Sequence, residues 1–458
     1  MDTKQLKQRI LDLAIRGKLV PQDPNDEPAS VLLERIRTEK EQLIAQGKLK
    51  KSKTKSSDKP HYENVPFEIP ESWEWVKLDE LASYKKGPFG SSLTKAMFVP
   101  ESLDTFKVYE QKNAIQKDVT LGNYFISKEH FDKLKGFEVQ PNDIIVSCAG
   151  TIGETYVMPL EMKKGIINQA LMYVRLHLAS ITPFYLIYFD TIIKSESNSD
   201  SKGTAIKNIP PFEVLKNYFF PLPPLAEQQR IVAEVEKWFA LIDELEVNKE
   251  ELKEYILQVK AKVLDLAIHG KLVPQDPNDE PAIELLKRIN PNFKPCDTSH
   301  YENLPGGWCI CLLEDIIDYE QPTQYIVAST DYNDEYKTPV LTAGKSFILG
   351  YTNESNGIYN NLPTIIFDDF TTDSRLVDFP FKVKSSAMKI LQVNKGINIQ
   401  YVAYFMSITR LAGNTHKRYW ISEYSKIPIP IPPKEEQDRI VQIISKIEKK
   451  LDSISADL

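Results

Sequence analysis

Leu11-Asp12-Leu13-Ala14-Ile15-Arg16-Gly17-Lys18-Leu19-Val20-Pro21-Gln22-Asp23-Pro24-Asn25-Asp26-Glu27-Pro28-Ala29 occurs twice in this chain. It returns as Leu264 to Ala282, 253 positions later, and Arg16 against His269 is the single difference in nineteen residues. Chance does not produce such identity, so the chain is built from two copies of one unit.

Three weaker pairs follow in the same order. His61-Tyr62-Glu63-Asn64 returns as His300-Tyr301-Glu302-Asn303, each followed by a Pro-x-x-Trp (Pro70 to Trp73, Pro305 to Trp308). Ile181 to Ile192, with Tyr185, Tyr188 and Phe189, is echoed by Ile397 to Ile408, with Tyr401, Tyr404 and Phe405. Pro223-Pro224-x-x-Glu227-Gln228-x-Arg230-Ile231-Val232 returns as Pro432-Pro433-x-x-Glu436-Gln437-x-Arg439-Ile440-Val441. Each half therefore holds one larger domain and one helical segment.

The helical segment announces itself by spacing. Ile231, Val235, Trp238, Ile242, Leu245, Leu252, Ile256, Val259, Val263 and Leu266 step by fours and threes, interrupted at Lys249. That is a heptad seam, roughly 50 Å of helix at 1.5 Å per residue. Pro224 and Gln228 sit where the helix starts and Gly270 where it stops. Its partner comes in two pieces. Ile440, Ile444, Ile447, Leu451, Ile454 and Leu458 repeat the first half of the seam; Leu6, Ile10 and Leu13 repeat the second. The expectation is an antiparallel coiled coil whose second helix is cut by the chain termini, giving a quasi-cyclic, pseudo-twofold protein. Ordinary amphipathic helices on unrelated core faces would not keep this spacing in both copies and across the cut.

The larger domains mix β-rich runs (Asp143 to Ser147, Glu154 to Met158, Pro363 to Phe367) with helices expected near Pro183 to Lys194 and Gln400 to Ala412. The fold class is α+β, with two tandem mixed α/β domains separated by the two long helices. The boundaries read as 1–60, 61–222, 223–299, 300–431 and 432–458. Beyond the framework pairs the domains diverge; Gly87 to Gly122 has no counterpart after Glu320.

Composition excludes several classes. The 458 residues are 42% hydrophobic and 26% charged, and no apolar run is long enough to span a membrane. Met1-Asp2-Thr3-Lys4-Gln5 opens no signal peptide, and four cysteines without a zinc spacing point to the reducing cytoplasm. The net charge of -7 argues against coating nucleic acid by bulk attraction. That charge is unevenly spread. Residues 233–254 carry eight acids and three bases, whereas the linker 37–60 carries eight bases and three acids. The lysine run Lys48, Lys50, Lys51, Lys53, Lys55 and Lys59 reads as a solvated linker or a DNA-backbone contact.

Catalytic motifs fail one by one. Gly344-Lys345-Ser346 resembles the end of a phosphate loop, but Pro339 stands where its first Gly is required. Asn208-Ile209-Pro210-Pro211-Phe212 carries an extra Ile for a methyltransferase motif, and no Gly-rich loop for a methyl donor accompanies it. Glu110-x-Lys112 lies too close to Asp104 for a nuclease motif. Asp368, Asp369 and Asp373 read as an acidic loop rather than a metal site, and no histidine pair has ligand spacing. The expectation is no catalytic residue and no metal.

Polar stretches suited to phosphates and base edges remain. In the first domain they are Lys85, Lys86, Ser91, Ser92, Thr94, Lys95, Gln111, Lys112, Asn113, Thr204 and Lys207. In the second they are Thr342, Lys345, Tyr351, Thr371, Thr372, Arg375, Lys417, Arg418 and Tyr419. Gly203-Thr204-x-x-Lys207 recurs as Gly413-Asn414-x-x-Lys417, which reads either as a turn that can offer an amide and an ammonium to one phosphate or as a loop preceding the return to the scaffold helix. Arg375 and Gln111 are of the types that read guanine and adenine edges.

The tandem domains, the Pro-Pro-Leu225-Ala226-Glu227-Gln228-Gln229-Arg230-Ile231-Val232 start, the Leu-Asp-Leu-Ala-Ile-x-Gly-Lys-Leu-Val-Pro-Gln exit and Gly150-Thr151-Ile152-Gly153 together resemble the specificity subunit of type I restriction-modification systems. The resemblance covers the whole chain. It implies two target-recognition domains, each reading half of a bipartite sequence in double-stranded DNA. It also implies a coiled coil that docks two methyltransferase subunits and, through them, motor-endonuclease subunits. No cofactor is expected on this chain; S-adenosylmethionine, ATP and Mg²⁺ would belong to the partners. Two other classes compete: a coiled-coil scaffold that binds no DNA, and an enzyme with its own nuclease or methyltransferase site.

Overall fold

The computed structural model describes residues 2–49, 65–149, 151–193, 212–296, 301, 303–342, 346–411 and 418–458. It divides into two compact units, Met1–Val247 and Asn248–Leu458, and the boundary falls inside one helix, Leu225–Ile268. At 44 residues that helix runs roughly 66 Å.

Each unit has the same plan. The first begins with the helix Thr3–Ile15, capped by the Asp2 carboxylate on the Lys4 and Gln5 amides. Gly17, at φ +65°, ends it, and a Cβ there would lie 2.5 Å from Pro70 Cγ. The helix Ala29–Ala45 follows. The second unit repeats the turn at Gly270, φ +68°, against Pro305, and follows it with the shorter helix Ala282–Ile289.

A larger domain then leaves and returns through a neck of two antiparallel strands. Glu74–Lys77 pairs with Phe219–Leu222 in the first unit, and Cys309–Leu312 pairs with Pro428–Ile431 in the second. Beyond the neck lies a four-stranded sheet in the same order in both. In the first unit it is Ala82–Lys86, Leu171–Leu176, Ile144–Ser147 and Thr155–Val157. In the second it is Ile317–Glu320, Met388–Val393, Thr364–Asp368 and Ser374–Val377. A further sheet differs: five strands in the first unit, three in the second, each containing one parallel pair. The expected helices appear as Thr182–Tyr188, continued by a wider turn Phe189–Ile193, and as Ile399–Ile408. Their repeated aromatics Tyr185, Phe189, Tyr401 and Phe405 are buried.

The repeated motifs form a clasp. In the first unit Glu227 accepts from the Trp73 indole at 2.9 Å and from the Gln22 amide at 2.7 Å. Arg230 forks onto Asp26 at 3.1 and 2.6 Å, and Gln228 donates to the Pro223 carbonyl at 2.9 Å. The second unit answers with Glu436 on Trp308 (3.0 Å) and Gln275 (3.0 Å), Arg439 on Asp279, and Gln437 on Pro432. The near-identity of Gly17 to Asp26 and Gly270 to Asp279 is thus the chemistry of one joint used twice. Burial pushes the Glu227 and Glu436 carboxyls above the usual carboxylate range, against the pull of their hydrogen bonds.

The helices pair antiparallel within each unit. Lys7 meets Asp243 at 2.6 Å in the first, and Lys260 meets Asp452 in the second at 2.5 Å. The seam is only partly closed. Ile10, Ile231, Val235, Ile242, Ile256, Ile440 and Ile444 are buried, and Leu6, Leu13, Leu245, Val263, Leu266, Ile447, Leu451 and Leu458 are half-buried. Trp238, Leu252, Val259 and Ile454, expected in the seam, are exposed. None of residues 243–255 is fully buried, because there one helix rather than a domain core covers the long helix. Lys249, the interruption, donates to the main-chain oxygen of Leu458.

Candidate nucleic-acid interface

Several of the polar residues picked out in the first domain lie at the end of one strand and in the loop that follows it. Lys85 and Lys86 are exposed at the end of strand Ala82–Lys86. Gly87 follows, where a Cβ would lie 1.8 Å from the Asn168 carbonyl oxygen. Only glycine can pass, and its N–H donates to the Leu171 carbonyl at 2.9 Å. Pro88 and Leu93 are buried on either side of a tight turn closed by the Ser92 amide on the Phe89 carbonyl at 2.8 Å. Ser91, Ser92, Thr94 and Lys95 are therefore exposed on a pinned loop. So is Phe89, 85% exposed, which the sequence reading missed.

Gln111 opens the short helix Gln111–Ile115 and donates to the Ala149 carbonyl. That carbonyl belongs to the turn after strand Ile144–Ser147. The Ser147 hydroxyl donates to the Thr151 carbonyl at 2.5 Å, and the Gly153 amide returns to the Ser147 carbonyl at 2.9 Å. The Cys148 amide donates to Ala170, which ties the turn to the exposed Gln169. Burial pushes the Cys148 thiol up to about 11, opposed by the positive charge of Lys86 nearby. The structure thus unites Lys86, Gln111, Thr151 and Gln169, and the last of these carried no signal beyond its exposure.

Asn113 is a correction. It is fully buried; its amide donates to the Asp118 and Leu121 carbonyls at 2.8 and 2.9 Å, and its oxygen accepts from the Glu110 amide at 2.7 Å. With its hydrogen bonds spent inside the protein, it braces a loop rather than facing DNA. Lys112 pairs with Glu110 at 3.0 Å, which also accounts for the Glu-x-Lys pattern.

In the second domain the corresponding end is the turn after strand Thr364–Asp368. Asp368 accepts from the Phe370 amide at 2.9 Å and the Thr371 hydroxyl at 2.7 Å. Asp369 pairs with Lys389 at 3.1 Å, both nearly fully buried, and Asp373 pairs with Arg410 at 2.9 Å. The three carboxylates are thus committed separately, and among the described residues no cluster could hold a metal ion. Thr372 and Tyr419 are corrections: both are buried. Thr372, at φ +60°, accepts from the Leu411 amide, and the Tyr419 amide donates to the Asp369 carbonyl.

Arg375 is exposed on strand Ser374–Val377, its guanidinium 4.8 Å from the Phe347 ring centre. The Thr342 amide donates to the main-chain carbonyl of the same Phe347. Tyr351 is half-buried on strand Ile348–Thr352, and Arg418 is exposed. Gln321, exposed beside the Lys389 ammonium, was missed. Thr204, Lys207, Lys345 and Lys417 lie outside the described residues, as do the repeated Gly-polar-x-x-Lys turns and linker residues 50–60, whereas 37–45, expected as linker, belong to the helix Ala29–Ala45.

Comparison with known proteins places this architecture. The profile described as "Type I restriction modification DNA specificity domain" matches residues 70–254 and again 305–457. The EcoR124I/EcoR124II type I restriction enzyme specificity subunit of Escherichia coli is 50% identical over 151 residues, 31% of this chain and 37% of that protein. The EcoAI specificity subunit, also of Escherichia coli, is 27% identical over 97% of this chain and 88% of its own length. The crystal structure of an HsdS subunit from Thermoanaerobacter tengcongensis superposes with a TM-score of 0.52 at 16% identity, covering 86% of this chain and 93% of that one, a likeness of fold. Two profile matches, covering more than half of the residues, show that this chain belongs to the type I restriction modification DNA specificity family.

Proposed function

We propose that the chain is the DNA-recognition subunit of a type I restriction-modification complex, each unit reading one half of a bipartite target. One observation carries this. The clasp, the neck and the four-stranded sheet are the same in both units, whereas the polar residues at the sheet ends differ. Lys86, Gln111 and Thr151 stand in one, and Gln321, Thr371 and Arg375 in the other. A common frame with two different surfaces suits a reader of two different half-sites.

The reading extends to the partners. Exposed Trp238, Leu241, Tyr255, Leu257 and Val259 give the long helix apolar surface on which two methyltransferase subunits dock, and motor-endonuclease subunits join through them. S-adenosylmethionine, ATP and Mg²⁺ then act on those partners, in the cytoplasm. No helix among the described residues is long and apolar enough to cross a membrane. The pairs Lys7–Asp243 and Lys260–Asp452 repeat one helix contact, once within each unit, which supports two copies of one helical joint. With a net charge of -7, the chain alone binds DNA weakly and relies on partner subunits to close around the duplex.

The test is methylome sequencing of cells that express the chain with its methyltransferase subunits. The expected motif has two specified halves around an unspecified gap, and exchanging residues 82–218 changes one half alone. A continuous motif, or none, overturns the reading.

A further inference from the structure

We infer that Gln321 is a specificity residue of the second domain, held by the buried Lys389–Asp369 pair so that it offers only hydrogen-bond donors to DNA. Lys389 Nζ lies 3.1 Å from Asp369 Oδ2 and 3.1 Å from Gln321 Oε1. An ammonium has no acceptor, so the amide oxygen of Gln321 faces inward and Nε2 faces out. Asp369 cannot release Lys389 without loss, since its other oxygen accepts from the Trp420 amide at 2.8 Å and both members of the pair are nearly fully buried. Gln321 itself is exposed.

A free glutamine reads adenine with both ends, accepting from N6 and donating to N7. Gln321 has its oxygen turned inward onto the buried Lys389, away from the exposed edge. Its outward N–H groups instead suit an edge made of acceptors alone, as the O6/N7 edge of guanine is. The first domain makes a parallel choice. Lys86 occupies the same place as Gln321, both two residues beyond a tyrosine (Tyr84, Tyr319) at the end of the first strand of the sheet, and it too can only donate.

The inference rests on the second domain being a DNA reader, and its test separates the two. The full chain, assembled with its methyltransferase subunits, is assayed for initial methylation rate on duplexes substituted at each base pair of the second half-site. The expected result is one position that prefers guanine to adenine by about tenfold or more in the unaltered complex. Gln321→Met, a surface change, abolishes that preference and leaves the others intact. Lys389→Met combined with Asp369→Asn, which removes the pair without stranding a charge, frees the amide and admits adenine at the same position. A Gln321→Met complex with every preference unchanged, or with equal loss at all positions, overturns the inference. An unaltered complex with no base preference anywhere in that half-site sinks the reading of the domain itself.

Discussion

The Trp73 indole donates to Glu227 Oε2 at 2.9 Å across 154 residues of chain. This one bond joins the start of the larger domain to the start of the long helix, and Trp308 and Glu436 repeat it. Trp73→Phe keeps the ring and strips the donor from a buried carboxylate. The expected loss is about 1–3 kcal/mol, read as a lower urea midpoint. Trp308→Phe should cost about the same, and an unchanged midpoint in both would mean that the clasp is not a stabilising joint.

His177 sets an acid limit on the first unit. Among the described residues neither ring nitrogen of this buried side chain has a hydrogen-bond partner, and burial lowers it from 6.5 to about 4, with Lys40 adding to the effect. The unfolded chain therefore takes up this proton first. The contribution to stability is complete above pH 6.5 and is lost as the pH falls toward about 4, up to roughly 3 kcal/mol. In His177→Phe the fall in stability over that window should be shallower, as followed by urea unfolding at stepped pH.

Two glycines at similar φ separate strain from collision. Gly17 has Pro70 Cγ 2.5 Å from where a Cβ would sit, whereas Gly47, at φ +71°, has nothing within 4 Å among the described residues. Gly47→Ala should cost about 1 kcal/mol in backbone strain. Gly17→Ala should cost more, because the collision falls on the clasp, and thermal melts of the two variants decide it.

At the sheet end of the first domain, charge and chemistry should separate. Lys86→Met is expected to weaken DNA binding by the whole complex and to lower the salt slope by about 1. Gln111→Ala should relax preference at one base pair and leave the slope unchanged. Binding titrations at three salt concentrations distinguish them.

The long helix sets a length. Seven residues inserted between Val247 and Asn248, in the stretch where nothing is fully buried, add about 10 Å of helix, roughly three base pairs of B-DNA. The methylated motif should keep both halves and gain a longer gap. An unchanged gap would mean that helix length does not set the spacing.

The duplication, the paired helices and the mixed sheets were all legible in the sequence, because each rests on a pattern that survives burial: a near-identical repeat, a heptad, a β-rich run. The reading surface was legible only in part. Asn113, Thr372 and Tyr419 are polar residues in polar stretches, and nothing local reveals that their bonds are spent inward. Gln321 was invisible for the converse reason, since its role depends on Lys389, 68 residues away, arriving from the neighbouring strand. The heptad likewise marked Trp238 and Val259 as inner positions, but periodicity does not say how much cover the partner supplies.

The two-stranded necks carry an evolutionary consequence. Glu74–Lys77 pairs with Phe219–Leu222, so each domain leaves and rejoins its scaffold at nearly the same point. The sheets beyond the neck form a cassette, while the helix Thr182–Tyr188 packs back into the core of the helix Thr3–Ile15 and stays with the scaffold. Genetic exchange with cut points inside those strands could replace the surface that reads DNA while the clasp stays as it was. A lineage could thus change what it recognises without rebuilding the frame that holds its recognition domains.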